Sequence, residues 1–144
     1  YWDMYARGAM VGLTRGTKRE HIIRATLESI AYQVADLVRA MEADMGGAIT
    51  QLKADGGASR DQFLMQFQAD IMGRNVHRPA ILETTALGAA YLAGLAAGVW
   101  ADTDEIKSLW KCESTFRPQM DPSVQETLLD GWHRAVERSR GWAR

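Results

Sequence analysis

The sequence predicts an α/β layered unit, rich in helix around a small sheet, and three observations carry that expectation. Apolar residues recur at helical spacing over residues 21–45, two short β-like runs follow at 49–54 and 75–79, and a third helical stretch opens at Thr85. Its 144 residues are 47% hydrophobic and 24% charged, a composition that suits one soluble globular unit with enough apolar mass for a core.

Taken in order, Ile22, Ala25, Leu27, Ile30, Ala31, Val34, Leu37, Val38 and Met41 form the apolar stripe of a long first helix, which Gly46 and Gly47 end. Residues 49–54 read as a strand broken by Asp55-Gly56-Gly57. Ser59 is the expected N-cap of a second helix reaching about Met72, with Phe63, Leu64, Phe67 and Ile71 on its inner face. Residues 75–79 suit a brief strand, with Pro79 at its end or on an edge.

The third helix carries Ala86, Gly88, Ala89, Ala90, Ala93, Gly94, Ala97 and Gly98, so little side-chain bulk would stop a neighbour from approaching its backbone. It is therefore expected inside a packed protein. Asp102 or Thr103 suits the cap of a short helix to Trp110. Residues 113–117 suit an edge strand stopped by Pro118, and Asp121-Pro122 opens a last helix because proline fits the first helical turn.

Charge and cysteine usage narrow the function classes. Lys and Arg number 17 against 18 for Asp and Glu, a net charge of -1, which supplies no field for nucleic acid or an anionic membrane. The most apolar stretch, residues 84–100, is too short and too rich in Ala and Gly for a membrane span. Cys112, the lone cysteine, has no internal disulfide partner, which fits a reducing cytoplasm. His21, His77 and His133 match no metal-ligand spacing, so no metal site is assigned to side chains. The chain opens on Tyr1 and reads as a piece of something longer.

Chemistry concentrates at residues 52–58, Leu-Lys-Ala-Asp-Gly-Gly-Ala, ahead of a helix. Paired glycines after a strand open backbone conformations closed to other residues and leave no side chain in the way of a ligand. The N–H groups of the following helix suit a phosphate or ribose oxygen. An ordinary tight turn is the structural alternative. Asp55 could approach a metal-bound phosphate or merely order its own turn. Asp61 could accept a hydrogen bond from a ribose or base, or simply favour the helix dipole. Near the end, His133, Arg134, Arg138, Arg140 and Arg144 form a basic cluster better read as solvated helix-terminal charge than as an anion site. Trp132 and Trp142 read as packing residues or part of a subunit contact, and Gly94 with Gly98 as a close-packing pair.

Together these segments resemble the FGGY carbohydrate kinases. Residues 8–13, Gly-Ala-Met-Val-Gly-Leu, stand seven residues before 21–28, His-Ile-Ile-Arg-Ala-Thr-Leu-Glu, and meet the long signature of that family. The stretches at 1–3, 5–8, 55–58, 63–66 and 85–90 are similar to its glycerol-phosphorylating branch, and the likeness weakens after Asp102. The resemblance implies the C-terminal lobe portion of an actin-like ATPase (ribonuclease H-like) fold, in which two lobes close on ATP with Mg2+. It places Gly57 against the adenosine and α-phosphate side of the nucleotide, with Gly56 and Ala58 beside it. At the position of Asp61 that branch carries an asparagine touching the nucleotide. The phosphate loop, the glycerol contacts and the catalytic aspartate belong to a part ahead of this segment, so no catalytic residue is expected here and the segment alone is expected to be inactive. A cytoplasmic homo-oligomer acting on glycerol is the implied whole. A sister xylulose, ribulose or gluconate kinase, or a non-catalytic nucleotide-binding or assembly module, is the alternative.

Overall fold

In the computed structural model, which describes residues 3–143, the first helix, α1 (Arg19–Met45), starts two residues ahead of the expected His21. The cause is His21 itself, whose Nδ1 accepts the Lys18 N–H at 3.0 Å and so closes the helix entrance from inside the first turn. Gly46 ends the helix in the left-handed conformation (φ 64°), its N–H donating to the Glu42 carbonyl.

Next come β1 (Gln51–Lys53), a 3-10 turn (Gly57–Arg60), α2 (Gln62–Met72) and β2 (Asn75–Pro79). β1 is shorter than residues 49–54 because the Ile49 N–H is taken by Glu42 Oε1 at 2.7 Å and leaves the ladder. β1 and β2 are parallel, with Leu52 opposite Val76, so a crossover must join them, and α2 is that crossover. After α3 (Thr84–Ala96) and α4 (Thr103–Ser108), β3 (Cys112–Phe116) pairs antiparallel with β2 and forms one edge of the sheet order β1-β2-β3. Pro79 ends the central strand beside an irregularity at Arg78/Pro79, where a missing N–H costs the ladder nothing.

The last helix, α5 (Pro122–Ser139), begins as the sequence predicts: Asp121 Oδ1 accepts the Ser123 N–H and Pro122 occupies the first turn. α4 likewise has Asp102 as its cap, accepting from Asp104 N and Glu105 N, and stops at Ser108, two residues short of Trp110. Trp110 turns instead to β1, its ring centroid 4.0 Å from Lys53 Nζ.

The core lies where α2 is pressed between α1 and the sheet. Leu64, Met65, Phe67, Ala69 and Ile71 are buried against Ala31, Tyr32 and Ala35 of α1, Val76 of β2 and Leu129 of α5. Phe63 departs from the expected inner face: it turns outward, stacked on Phe67 and covered by Arg24, whose guanidinium carbon sits 5.2 Å from its ring centroid. Tyr32 meets Phe67 edge-on at 5.5 Å and stacks on Trp132 at 5.3 Å. Trp132 is thus a packing residue, and its indole N–H donates to Asp36 Oδ2 at 2.7 Å. Trp142 is not, being 74% exposed.

Within this chain the third helix is not the buried element expected. Gly94 is the one residue of α3 that is buried, and what covers it is Trp100, from the turn just beyond the helix. A methyl group at Gly94 would stand 1.9 Å from the Trp100 ring, which also meets Tyr91 edge-on at 5.1 Å. Gly98 (φ +72°) supplies the reversal that brings this ring back, so the glycine pair serves a local fold-back rather than a helix–helix seam. The small residues made α3 able to accept a neighbour, but among the described residues no helix or sheet lies against its length.

Ionisable groups set the pH window of this fold. The Arg74 guanidinium and the Ile49 N–H hold the Glu42 carboxyl below its ordinary value of 4.5. The N–H groups of Gly141 and Tyr5 lower Asp3, and the Ser123 hydroxyl and N–H lower Asp121. A depressed folded value stabilises in full above the unfolded one and is lost as pH falls through it. Tyr32 is pushed the other way, up to about 12, by burial and then by the Glu28 charge. Its contribution is complete below the ordinary value of 10.0 and lost as pH rises toward 12. A melting-temperature profile should therefore hold flat from about pH 5 to about pH 9 and fall on both sides. Glu42→Gln should flatten the acid limb, and an acid limb identical to the parent's would show that the Glu42–Arg74 pair plays no part.

Candidate functional site

The edge of the sheet at the end of β1 gathers the residues singled out by chemistry. Ala54 N–H donates to His77 O at 2.9 Å, a last bond beyond the strand, and the chain then reverses at Gly56 (φ 76°, ψ 177°), a backbone conformation that favours glycine. Gly56 N–H donates to Leu82 O at 3.0 Å, and Asp55 Oδ2 accepts from the Thr84 hydroxyl. The turn after β1 is thereby tied to the start of α3. Asp55 thus reaches beyond its own turn to the first residue of α3.

The 3-10 turn that follows corrects the expected cap. Ser59 lies inside it, 1% exposed, its hydroxyl donating to Gly56 O at 2.7 Å. The N-cap of α2 is Asp61, whose Oδ1 accepts the Leu64 N–H at 2.8 Å. Serine and aspartate are both good caps, and two residues of 3-10 turn moved the helix start from one to the other. One oxygen of Asp61 is thus committed to the helix.

On its outer face the turn is open. A Cβ built on Gly56 or Gly57 would meet no atom within 4 Å. From the inner face it is clamped by a residue that the sequence reading passed over. Arg78 of β2, 9% exposed, donates from Nη1 to Ser59 O at 3.1 Å, and at a longer 3.5 Å to Arg60 O. Its Nε donates to Glu113 Oε2 at 2.8 Å and its Nη2 to Ser114 Oγ at 3.2 Å, both on β3. A signal for it existed: Arg78 lies two residues after buried Val76, and the period of two puts both on the core face of β2.

Other candidates stand apart. In the C-terminal cluster His133 Nε2 lies 3.0 Å from Asp36 Oδ1, Arg134 pairs with Asp130 at 3.5 Å and Arg140 with Glu137 at 2.9 Å, and Arg138 Nη1 donates to Arg134 O at 2.9 Å. Arg144 lies outside the described residues, as do Tyr1 and Trp2. Cys112 is exposed, with Sγ 3.8 Å from His77 Nδ1 across the β2–β3 pair. Among the described residues no group of three or more His, Cys, Asp or Glu could hold a metal ion. Among the described residues no helix is long and apolar enough to cross a membrane. A cavity of about 710 Å3, lined by Met10, Leu13, Ile22, Tyr32, Leu128 and Trp132 among others, opens between residues 9–17, α1 and α5, away from the glycine turn.

With this geometry in view, the decisive comparison is that residues 1–97 match the C-terminal domain of the FGGY family of carbohydrate kinases. The chain belongs to that family. It is 63% identical over 142 residues to a glycerol kinase of Alkaliphilus oremlandii (strain OhILAs), covering 99% of this chain and 28% of that protein. Among solved structures, the Plasmodium falciparum glycerol kinase with ADP superposes with a TM-score of 0.81 at 38% identity, covering 93% of this chain and 27% of that one. A xylulose kinase from Rhodospirillum rubrum superposes at 0.75 with 28% identity, covering 94% and 28%. The FGGY chain therefore has the fold of these kinases, a helix-rich portion of the actin-like ATPase architecture with a small three-stranded sheet. It spans less than a third of the length of the curated relatives it matches.

Proposed function

We propose that this FGGY chain is part of the C-terminal domain of a larger cytoplasmic, homo-oligomeric kinase that transfers the γ-phosphate of Mg2+-bound ATP to glycerol, giving sn-glycerol 3-phosphate. The chain supplies part of the nucleotide site: Gly56, Gly57 and Ala58 lie along the nucleotide, with Asp61 at the margin. The observation that carries this reading is the open outer face of the Gly56-Gly57 turn in a chain 63% identical to a glycerol kinase. A bulky residue at either position would close the approach; glycine keeps it free. Glycerol, the phosphate-binding loop and the base that takes the hydroxyl proton belong to the polypeptide outside this chain. Phosphoryl transfer depends on positioning and charge stabilisation acting together, so the 144 residues alone give no useful rate.

Sister sugar kinases and a purely binding role are the competing readings, and the first is less favoured because identity to the solved glycerol kinase is 38% against 28% and 26% to the xylulose and gluconate kinases. An ADP-release assay on the complete polypeptide, with glycerol beside pentuloses and sugar acids, separates them. Preference for glycerol is the expected result. Turnover confined to another polyol would move the function to a sister kinase, and no turnover would leave the binding role. ADP release by the isolated 144 residues on adding glycerol would contradict the assignment of catalysis to the remainder.

A further inference from the structure

We propose that Arg78 is a positioning residue for the nucleotide, holding the Gly56–Gly57 turn from behind so that its open face keeps a fixed aim. The inference rests on the reading of Gly56, Gly57 and Ala58 as the nucleotide turn, and it names what sets that turn's geometry.

The physical case begins with what the turn lacks. Gly56 sits at φ 76°, and two successive glycines restrain a backbone less than any other pair, so left to itself the turn would sample many conformations. Gly56 N–H ties the turn to Leu82 O at 3.0 Å, and among the described residues its carbonyl is held by Ser59 alone, from Oγ at 2.7 Å and from N at 3.2 Å. Both bonds to that carbonyl run through Ser59, so whatever fixes Ser59 fixes the carbonyl side of Gly56. Ser59 O is held by Arg78 Nη1 at 3.1 Å in a nearly buried setting, where a charged donor is stronger than a neutral one. Arg78 is fixed in turn from three sides: Glu113 Oε2 on Nε, Ser114 Oγ on Nη2, and the Phe116 ring, whose centroid lies 5.5 Å from the guanidinium carbon.

A planar fork whose donors point in set directions can bond the turn and β3 at once; an ammonium on a flexible stem cannot. The guanidinium therefore couples β3, an edge strand far along the chain, to a turn that follows β1. Nothing in this arrangement touches the outer face, so the coupling acts on nucleotide affinity and leaves a polyol site elsewhere untouched.

The test uses the complete kinase, with ADP as the probe, and measures its dissociation constant, the KM values for ATP and glycerol, and the melting temperature. Arg78→Lys keeps the charge and loses the fork. It should raise the ADP dissociation constant and the ATP KM by about tenfold, with the glycerol KM within about twofold of the parent. Arg78→Met should go further in the same direction. Glu113→Gln, at a half-exposed residue, keeps an acceptor for Nε and should weaken ADP by about threefold without threatening the fold, which covers the case in which the Arg78 variants do not fold. Folded Arg78→Lys, or folded Glu113→Gln if the former is lost, with ADP affinity equal to the parent's overturns the proposal. So does a rise in the glycerol KM matching that for ATP, the mark of general loosening. Gly57→Val separates the two levels. If it abolishes ADP binding while Arg78→Lys does not weaken it, the positioning role fails and the turn's role stands; if neither variant affects ADP, the turn is not the nucleotide site.

Discussion

Replacing Gly57 with valine should raise the ATP KM of the complete kinase by about a hundredfold and leave its melting temperature where it was. Both halves follow from one geometric fact. A Cβ at Gly57 meets no protein atom within 4 Å, and its φ lies outside the left-handed region, so the fold itself tolerates a side chain there. Valine's branched side chain then occupies the space in which the nucleotide would lie, and a hundredfold loss is about 2.7 kcal/mol, the scale expected from displacing a bound group by an ångström or so. Gly56 makes the contrast. At φ +76° any side chain there strains the backbone, so Gly56→Ala lowers the melting temperature and confuses folding with binding. A Gly57→Val enzyme with parental ATP KM and parental melting temperature would remove the glycine turn from the nucleotide site. A fall in melting temperature with unchanged KM would make Gly57 a folding residue.

That experiment was legible in the sequence only in part. The glycine pair, its place after a strand and before a helix, and the family all followed from short-range pattern and resemblance, because a turn's chemistry is written in the residues that make it. What held the turn was not, since Arg78 reaches it, and Glu113 reaches Arg78, through side-chain bonds across 18 or more residues of chain, and no local period encodes such bonds. The same limit explains the cap. Ser59 and Asp61 compete for one role with equal chemistry, and only the 3-10 geometry decides between them. α3 fails differently: small residues say how closely a neighbour could approach, and say nothing of whether one lies within these 144 residues. Its Gly94 found Trp100 instead.

The core is the part the sequence specified best, and Ile71→Ala tests it with the largest stability effect. Ile71 is fully buried near the end of α2, in the cluster where Leu64, Phe67 and Val76 also lie. α2 touches α1, β2, β3 and α5, so this helix joins every layer of the fold. Its own carbonyl anchors α5, accepting from Gln125 Nε2 at 2.8 Å. Deleting three carbons from a fully buried site loses their transfer energy and leaves a cavity that the packed core relaxes only partly to fill, a cost of about 2–5 kcal/mol. Ile71→Val removes one methylene and should cost about 0.5–1.5 kcal/mol. A domain of this size is stable by only about 5–15 kcal/mol, so the alanine variant should shift the urea midpoint steeply while the valine variant shifts it a little. Equal shifts for the two would mean that the site relaxes around the loss, and that α2 does not hold the layers together at Ile71.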